Sequence, residues 1–101
     1  MSNISSPPLR IHNVIIIRGD GIGPELIDAS LLVLDAAQKR AGDFRLDIDT
    51  RQGGADLYRR TGYNLAPETL EAIKQADATM KGPVGLPDVR FPDGTEAGVL
   101  G

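Results

Sequence analysis

Residues 14–25 read VIIIRGDGIGPE. Four successive β-branched residues, Val14, Ile15, Ile16 and Ile17, lead through Arg18 into three closely spaced glycines, and Pro24 and Glu25 follow at once. A continuous rather than alternating apolar run predicts a strand buried on both faces, the habit of a parallel sheet flanked by helices. Pro24 suits a first helical position, where its missing N–H would be unpaired anyway. The stretch is therefore expected to be a strand, a tight turn and the start of a helix.

Working outward, the helix is expected over 24–41. Glu25 and Asp28 stand in its first turn and Lys39 and Arg40 in its last, so both ends complement the helix dipole. Gly42 can take the left-handed conformation that ends it. Leu26, Ile27, Leu31, Leu32, Val33, Leu34 and Ala37 cover most of the circumference, leaving Asp28, Asp35 and Gln38 on one narrow polar stripe. A helix so apolar needs cover on more than one side. Phe44 to Asp49 then alternates with period two, a strand with one wet face at or near a sheet edge. Gly53-Gly54 opens a short helix through Arg60 that Gly62 stops. Pro67 begins another, with Leu70 and Ile73 expected to face inward. Asp77 leads into a short strand, Ala78 to Met80, followed by Lys81. Residues 82–101 hold five glycines and three prolines and read as loop, with a turn at Pro92-Asp93-Gly94.

Strands alternating with helices indicate an α/β fold with parallel strands. At 101 residues the chain is one domain's worth or less, and its 41% hydrophobic content suffices for a packed core. A net charge of −3 with no clustered Lys/Arg stripe argues against nucleic acid as a partner. Without cysteine there is neither a disulfide framework nor a thiolate nucleophile. The opening MSNISSPPLR lacks the basic and apolar regions of a signal peptide, and no apolar stretch approaches the roughly 18 residues of a membrane span. A cytoplasmic, membrane-free setting is expected.

The glycine cluster invites comparison with the Rossmann fingerprint G-x-G-x-x-G. Gly19 and Gly21 fit its first two positions, but the third falls on Pro24, where a ring would obstruct the close packing of helix on strand. The plainest alternative is a chain-reversing turn in which glycine has no ligand to meet. A third reading comes from resemblance. GDGIGPE after a buried strand, Gly53-Gly54-Ala55 at the next helix, ADATMKGP at 76–83 and GTEAGVLG at 94–101 together resemble the β-decarboxylating dehydrogenases of isopropylmalate, isocitrate, homoisocitrate and tartrate. The fold so implied is an incomplete parallel-type sheet with flanking helices, the N-terminal part of an isopropylmalate dehydrogenase-like large domain. Residues 1–12 would form a mobile arm. Residues 13–101 would form the first segment of that domain, ending at the junction to a second domain absent from the chain.

The resemblance implies oxidative decarboxylation of a substituted malate, with NAD or NADP as hydride acceptor and Mg²⁺ or Mn²⁺ as Lewis acid. The partner would be a small 2-hydroxy acid, and the intact enzyme a homodimer. The glycine turn would line the cofactor cleft without a Rossmann grip on the pyrophosphate. Carried over position by position, Ile22 would lie near the adenosine, Glu96 near the nicotinamide, Lys81 facing the substrate carboxylates, and Val99 against the malate side group. The family's substrate arginines, catalytic tyrosine and lysine, and metal-binding aspartates have no counterpart in this stretch; Tyr58 and Tyr63 belong to other positions, and His12 has no assigned role. Two alternatives remain beside this reading: a small self-contained α/β module that binds a nucleotide or anion, and a truncated product with no function.

Overall fold

A computed structural model of the chain describes residues 9–97. Its elements run β1 (Arg10–Ile17), α1 (Gly23–Ala41), β2 (Phe44–Arg51), α2 (Ala55–Thr61), α3 (Pro67–Gln75) and β3 (Ala78–Lys81). The three strands form one parallel sheet in the order β2-β1-β3. This is the α/β architecture the sequence predicts, with β1 central and β2 at an edge. β1 begins at Arg10, so Arg10 to Asn13, including His12, are strand residues paired with Phe44 to Asp47. They extend beyond β3, whose pairing with β1 starts only at Val14, and they are exposed. Among the described residues no helix is long and apolar enough to cross a membrane.

The register explains the burial. Val14 pairs with Ile48 and Ala78, and Ile16 with Thr50 and Met80, so these side chains share one face of the sheet. Val14 and Ile16 form a core there with Ile27 of α1, joined by Leu31, Leu46 and Met80. The opposite face carries Ile15, Asp47 and Asp49, which line a groove with Ala72, Gln75 and Ala76 at the end of α3. The continuous run of β1 is thus buried on both sides, Val14 to Ile17 being 0–8% exposed. β2 shows the other pattern: Arg45–Asp47 and Arg51–Asp49 form ion pairs along its polar face.

Helices α1 and α2 stop at the glycines the sequence marks. Gly42 and Gly62 cap α1 and α2 in the left-handed conformation, and each amide donates to the carbonyl four residues back. Two expectations fail. Leu70 of α3 is 44% exposed, and the buried residue of that helix is its neighbour Thr69. Gln38 is not part of an outward polar stripe. Its carboxamide oxygen accepts the Leu46 amide at 2.9 Å, satisfying a backbone donor of the edge strand.

Contact sets Gly19 and Gly23 in the turn after β1, while Gly21, with φ +55, faces open space. Gly19 has φ +81, and a Cβ there would overlap the Pro83 carbonyl oxygen. One on Gly23 would meet the carbonyls of Arg18 and Pro83, and one on Gly82 the Arg18 carbonyl. Gly42 also has positive φ but faces open space. Gly42→Ala is therefore expected to cost about 1 kcal/mol, the left-handed penalty alone. Gly19→Ala should add an overpacking cost of about 1–3 kcal/mol. Urea midpoints at unchanged m-value measure both; equal losses at the two positions would show that the contact with Pro83 contributes nothing.

Candidate functional site

In open parallel sheets, ligands bind beyond the carboxyl ends of the strands. Here that end is built from two loops that touch. The turn Arg18–Ile22 leaves β1, and the segment Gly82–Ala97 leaves β3. Gly82 continues the ladder by donating to the Ile17 carbonyl at 2.7 Å, and the Asp20 amide donates to the Pro83 carbonyl at 2.9 Å. The concave side of the glycine turn is consequently filled by protein backbone. A pyrophosphate could not occupy it, which agrees with the misfit of Pro24 to the Rossmann pattern. The close approach that the fingerprint's third glycine provides is supplied instead by Gly23 and Gly82.

At the centre of this junction is Asp20, 7% exposed. Its carboxylate accepts hydrogen bonds from the backbone amides of Ala55 (2.7 Å), Asp56 (3.0 Å) and Gly85 (2.8 Å). Ala55 and Asp56 open α2, whose preceding residue Gly54 offers no side-chain cap. Asp20 therefore caps α2 from 35 positions away in sequence and also holds the loop after β3. Burial pushes its pKa upward, but the bonds from Gly85, Ala55 and Asp56 and the Arg59 charge more than offset this, so the carboxyl lies below its ordinary value of 3.8. Gly54 has no room for a Cβ beside this carboxylate. Sequence reasoning passes over Asp20, because its partners are backbone groups and leave no side-chain pattern to read. The Gly53-Gly54 pair was the one available sign that something approaches α2 closely.

Gly82–Ala97 is ordered against α2 rather than open. Val89 and Ala97 are buried with Ala55, and Tyr58 and Leu86 pack around them. Tyr58 meets Phe91 edge-on, the ring centroids 5.2 Å apart. The turn expected at 92–94 is present: Gly94 donates to the Phe91 carbonyl, and Arg90 pairs antiparallel with Glu96.

The residues singled out from sequence fall at this same end. Lys81 is the last residue of β3, one position further into the strand than expected, and it is exposed. Ile22 is the residue before α1 and is 64% exposed. Glu96 is exposed, 3.9 Å from Arg90, and its carboxylate overhangs Gly85, the same residue that Asp20 holds. The three thus sit on segments joined through Asp20, although none touches another by hydrogen bond or ion pair. Val99 lies outside the described residues. Tyr63 is 57% exposed, and Tyr58 is engaged with Phe91; neither adjoins this rim in a way that suits acid–base chemistry.

A cleft of about 400 Å³ lies between the turn after β1, the end of β2 and α2. Arg18, Arg51 and Arg60 line it, but each is already ion-paired, with Asp28, Asp49 and Asp56. Among the described residues no three His, Cys, Asp or Glu side chains gather in a way that could hold a metal ion. These residues do not fit a divalent metal site.

The model of the isocitrate/isopropylmalate dehydrogenase family matches residues 13–99. The chain belongs to that family. A probable tartrate dehydrogenase/decarboxylase of Agrobacterium vitis is 43% identical over 81 residues, 80% of this chain and 23% of the relative. A 3-isopropylmalate dehydrogenase of Lactococcus lactis is 38% identical over 74 residues, 73% of this chain and 21% of the relative. The solved apo structure of a β-decarboxylating dehydrogenase from Thermococcus kodakarensis superposes with a TM-score of 0.67 at 34% identity, covering 80% of this chain and 23% of that one. This member of the isocitrate/isopropylmalate dehydrogenase family thus spans less than a quarter of the length of the relatives it matches.

The Asp20 bonds give a stability prediction. Its native pKa is depressed, so its contribution is complete above the unfolded carboxyl pKa near 4 and is lost as pH falls through the native value. Asp20→Asn presents an amide donor to amide donors and should cost about 1–3 kcal/mol at neutral pH. The difference in stability between parent and variant should shrink as pH falls below 4. Denaturation at neutral and acid pH measures this, and a difference independent of pH would show that the charge is not the source.

Proposed function

We propose that this chain is the cofactor- and substrate-facing first segment of an NAD(P)-dependent dehydrogenase that oxidises and decarboxylates a substituted malate. The observation that carries the reading is the family match over 13–99, together with the meeting of the glycine turn and the β3 end at the ligand-binding edge of the sheet. The names of the relatives, tartrate and isopropylmalate dehydrogenases, support a small 2-hydroxy acid as substrate.

The bound nicotinamide cofactor would accept hydride from the hydroxyl-bearing carbon. The chain's own residues would position the reactants. Lys81, exposed at the strand end, offers its ammonium to substrate carboxylates, an attraction that strengthens as the cleft excludes water. Glu96 sets a carboxylate near the nicotinamide, where its charge favours binding of the cationic, oxidised ring. Ile22 offers an exposed apolar face to the adenosine half. The turn beside it contributes position and no phosphate grip, because the Asp20 amide and the side of the turn that faces Pro83 are already in use.

Substrate choice within the class rests on Val99. An apolar wall there favours an alkyl substituent by roughly 0.8 kcal/mol per buried CH₂. A third carboxylate against it would lose hydration without a hydrogen bond in return. A second reading, tartrate, is supported by the higher identity to the tartrate relatives.

NAD(P)⁺ reduction with isopropylmalate, isocitrate and tartrate, in Mg²⁺ or Mn²⁺, tests both. The 101-residue chain alone is expected to show none, and the same segment within a chain of its relatives' length is expected to turn over. In that longer chain Val99→Ser should move the kcat/KM ratio from isopropylmalate toward isocitrate. An unmoved ratio removes Val99 as a specificity residue, and absence of any 2-hydroxy-acid turnover in the longer chain removes the proposal.

A further inference from the structure

Glu96 stands opposite Arg90 in the antiparallel bridge that closes the turn after Val89. Residues directly opposite in such a pair send their side chains to one face. The backbone of the turn is well held. The Phe91 amide donates to the Thr95 carbonyl at 2.8 Å, and the Asp93 carboxylate accepts the Thr95 amide at 3.0 Å and its hydroxyl at 2.7 Å. Phe91 rests edge-on against Tyr58 of α2, and Ala97, next to Glu96, is buried with Ala55 and Val89. Glu96 therefore leaves from a fixed point, but its half-exposed side chain is not held by packing. The Arg90 guanidinium supplies that hold. Its Nε donates to the Pro87 carbonyl at 3.0 Å, and Nη1 donates to the Gly94 carbonyl at 3.3 Å. Nη2 then lies 3.9 Å from Glu96 Oε1. Oε2 of the same carboxylate overhangs Gly85, 3.5 Å from where a Cβ would stand, and the Gly85 amide is bound to Asp20.

We infer, resting on the place proposed above for Glu96 beside the nicotinamide, that Arg90 is a positioning residue. It holds the Glu96 carboxylate in the orientation from which that carboxylate meets the oxidised ring. A planar fork of donors can be pinned on one side and still present an N–H on another. The two carbonyls fix the guanidinium before it meets Glu96, so little further freedom is lost in making the pair. The carboxylate is then ordered before the cofactor arrives, and binding is spared the cost of ordering it. The role is one of geometry more than strength, because an ion pair this exposed contributes little to the fold. Charge alone would act in the other direction. A guanidinium beside Glu96 partly cancels the negative charge that a cationic ring would meet. Position and charge therefore give opposite expectations for the loss of Arg90.

Calorimetric titration of NAD(P)⁺ and NAD(P)H into the chain of its relatives' length is the test, with urea denaturation beside it. Arg90→Met should raise the dissociation constant of the oxidised cofactor roughly two- to tenfold, the cost of ordering one side chain on binding. The reduced cofactor, whose ring is neutral, should change less. Arg90→Lys keeps the charge but loses the fork, and should weaken the oxidised cofactor as Arg90→Met does. Urea midpoints should move little in either variant. Glu96→Gln should itself weaken the oxidised cofactor, and adding Arg90→Met to it should cost nothing more, as for a residue that acts through another. Tighter binding in Arg90→Met would overturn the inference in favour of charge. Full retention in Arg90→Lys, a loss that persists in the Glu96→Gln background, or a large fall in the urea midpoint would also overturn it. If Glu96→Gln weakens binding and Arg90→Met does not, the role of Arg90 fails and the placement of Glu96 stands. If Glu96→Gln changes nothing, that placement fails and the role of Arg90 with it.

Discussion

The carboxylate of Asp20 gathers three backbone amides that otherwise have no side-chain partner. Two belong to the start of α2 and one to the loop after β3. None of the three segments is neighbour to another in sequence, and none is long enough to fix itself. α2 has only seven residues, too few to be stable as an isolated helix, and the segment after β3 has no ladder beyond the bridge of Arg90 with Glu96. A charged acceptor strengthens each bond it receives relative to a neutral one. One side chain therefore decides where the short helix points and where the β3 loop lies.

The glycines follow from the same constraint. Backbone must approach backbone for the Asp20 amide to reach the Pro83 carbonyl, and any Cβ on Gly19, Gly23 or Gly82 would intervene. Gly19 and Gly23 are required because the turn packs against another loop, and the phosphate cradle it resembles in outline is already closed by protein. That places the candidate ligand contacts on the exposed rim, at Ile22, Lys81 and Glu96, and away from the turn's interior.

The surface of α1 carries a different message. Its inner face meets the sheet, while Leu26, Leu32 and Val33 stand exposed on its outer face. Within the longer relatives, four-fifths of whose length lies outside this match, such a face has further chain available.

Much of this was legible in the sequence. The unbroken Val14–Ile17 run required burial on both faces, and period-two alternation in Phe44–Asp49 required one wet face; side-chain period and hydrophobicity are local properties. Helix ends were legible for the same reason, since Pro24, Gly42 and Gly62 act through their own backbone geometry. Glu96, Lys81 and Ile22 were marked by motif, yet only the folded chain gathers their segments at one end of the sheet. What the sequence concealed were interactions between distant backbone and a single side chain. Asp20 reads as one acid in a glycine turn until α2 and Gly85 are brought to it. Gln38 reads as surface until Leu46 donates to it, and Leu70 reads as core until α3 turns Thr69 inward instead. In each case the partner's identity depends on which segments the tertiary fold makes adjacent, and no local pattern encodes that adjacency.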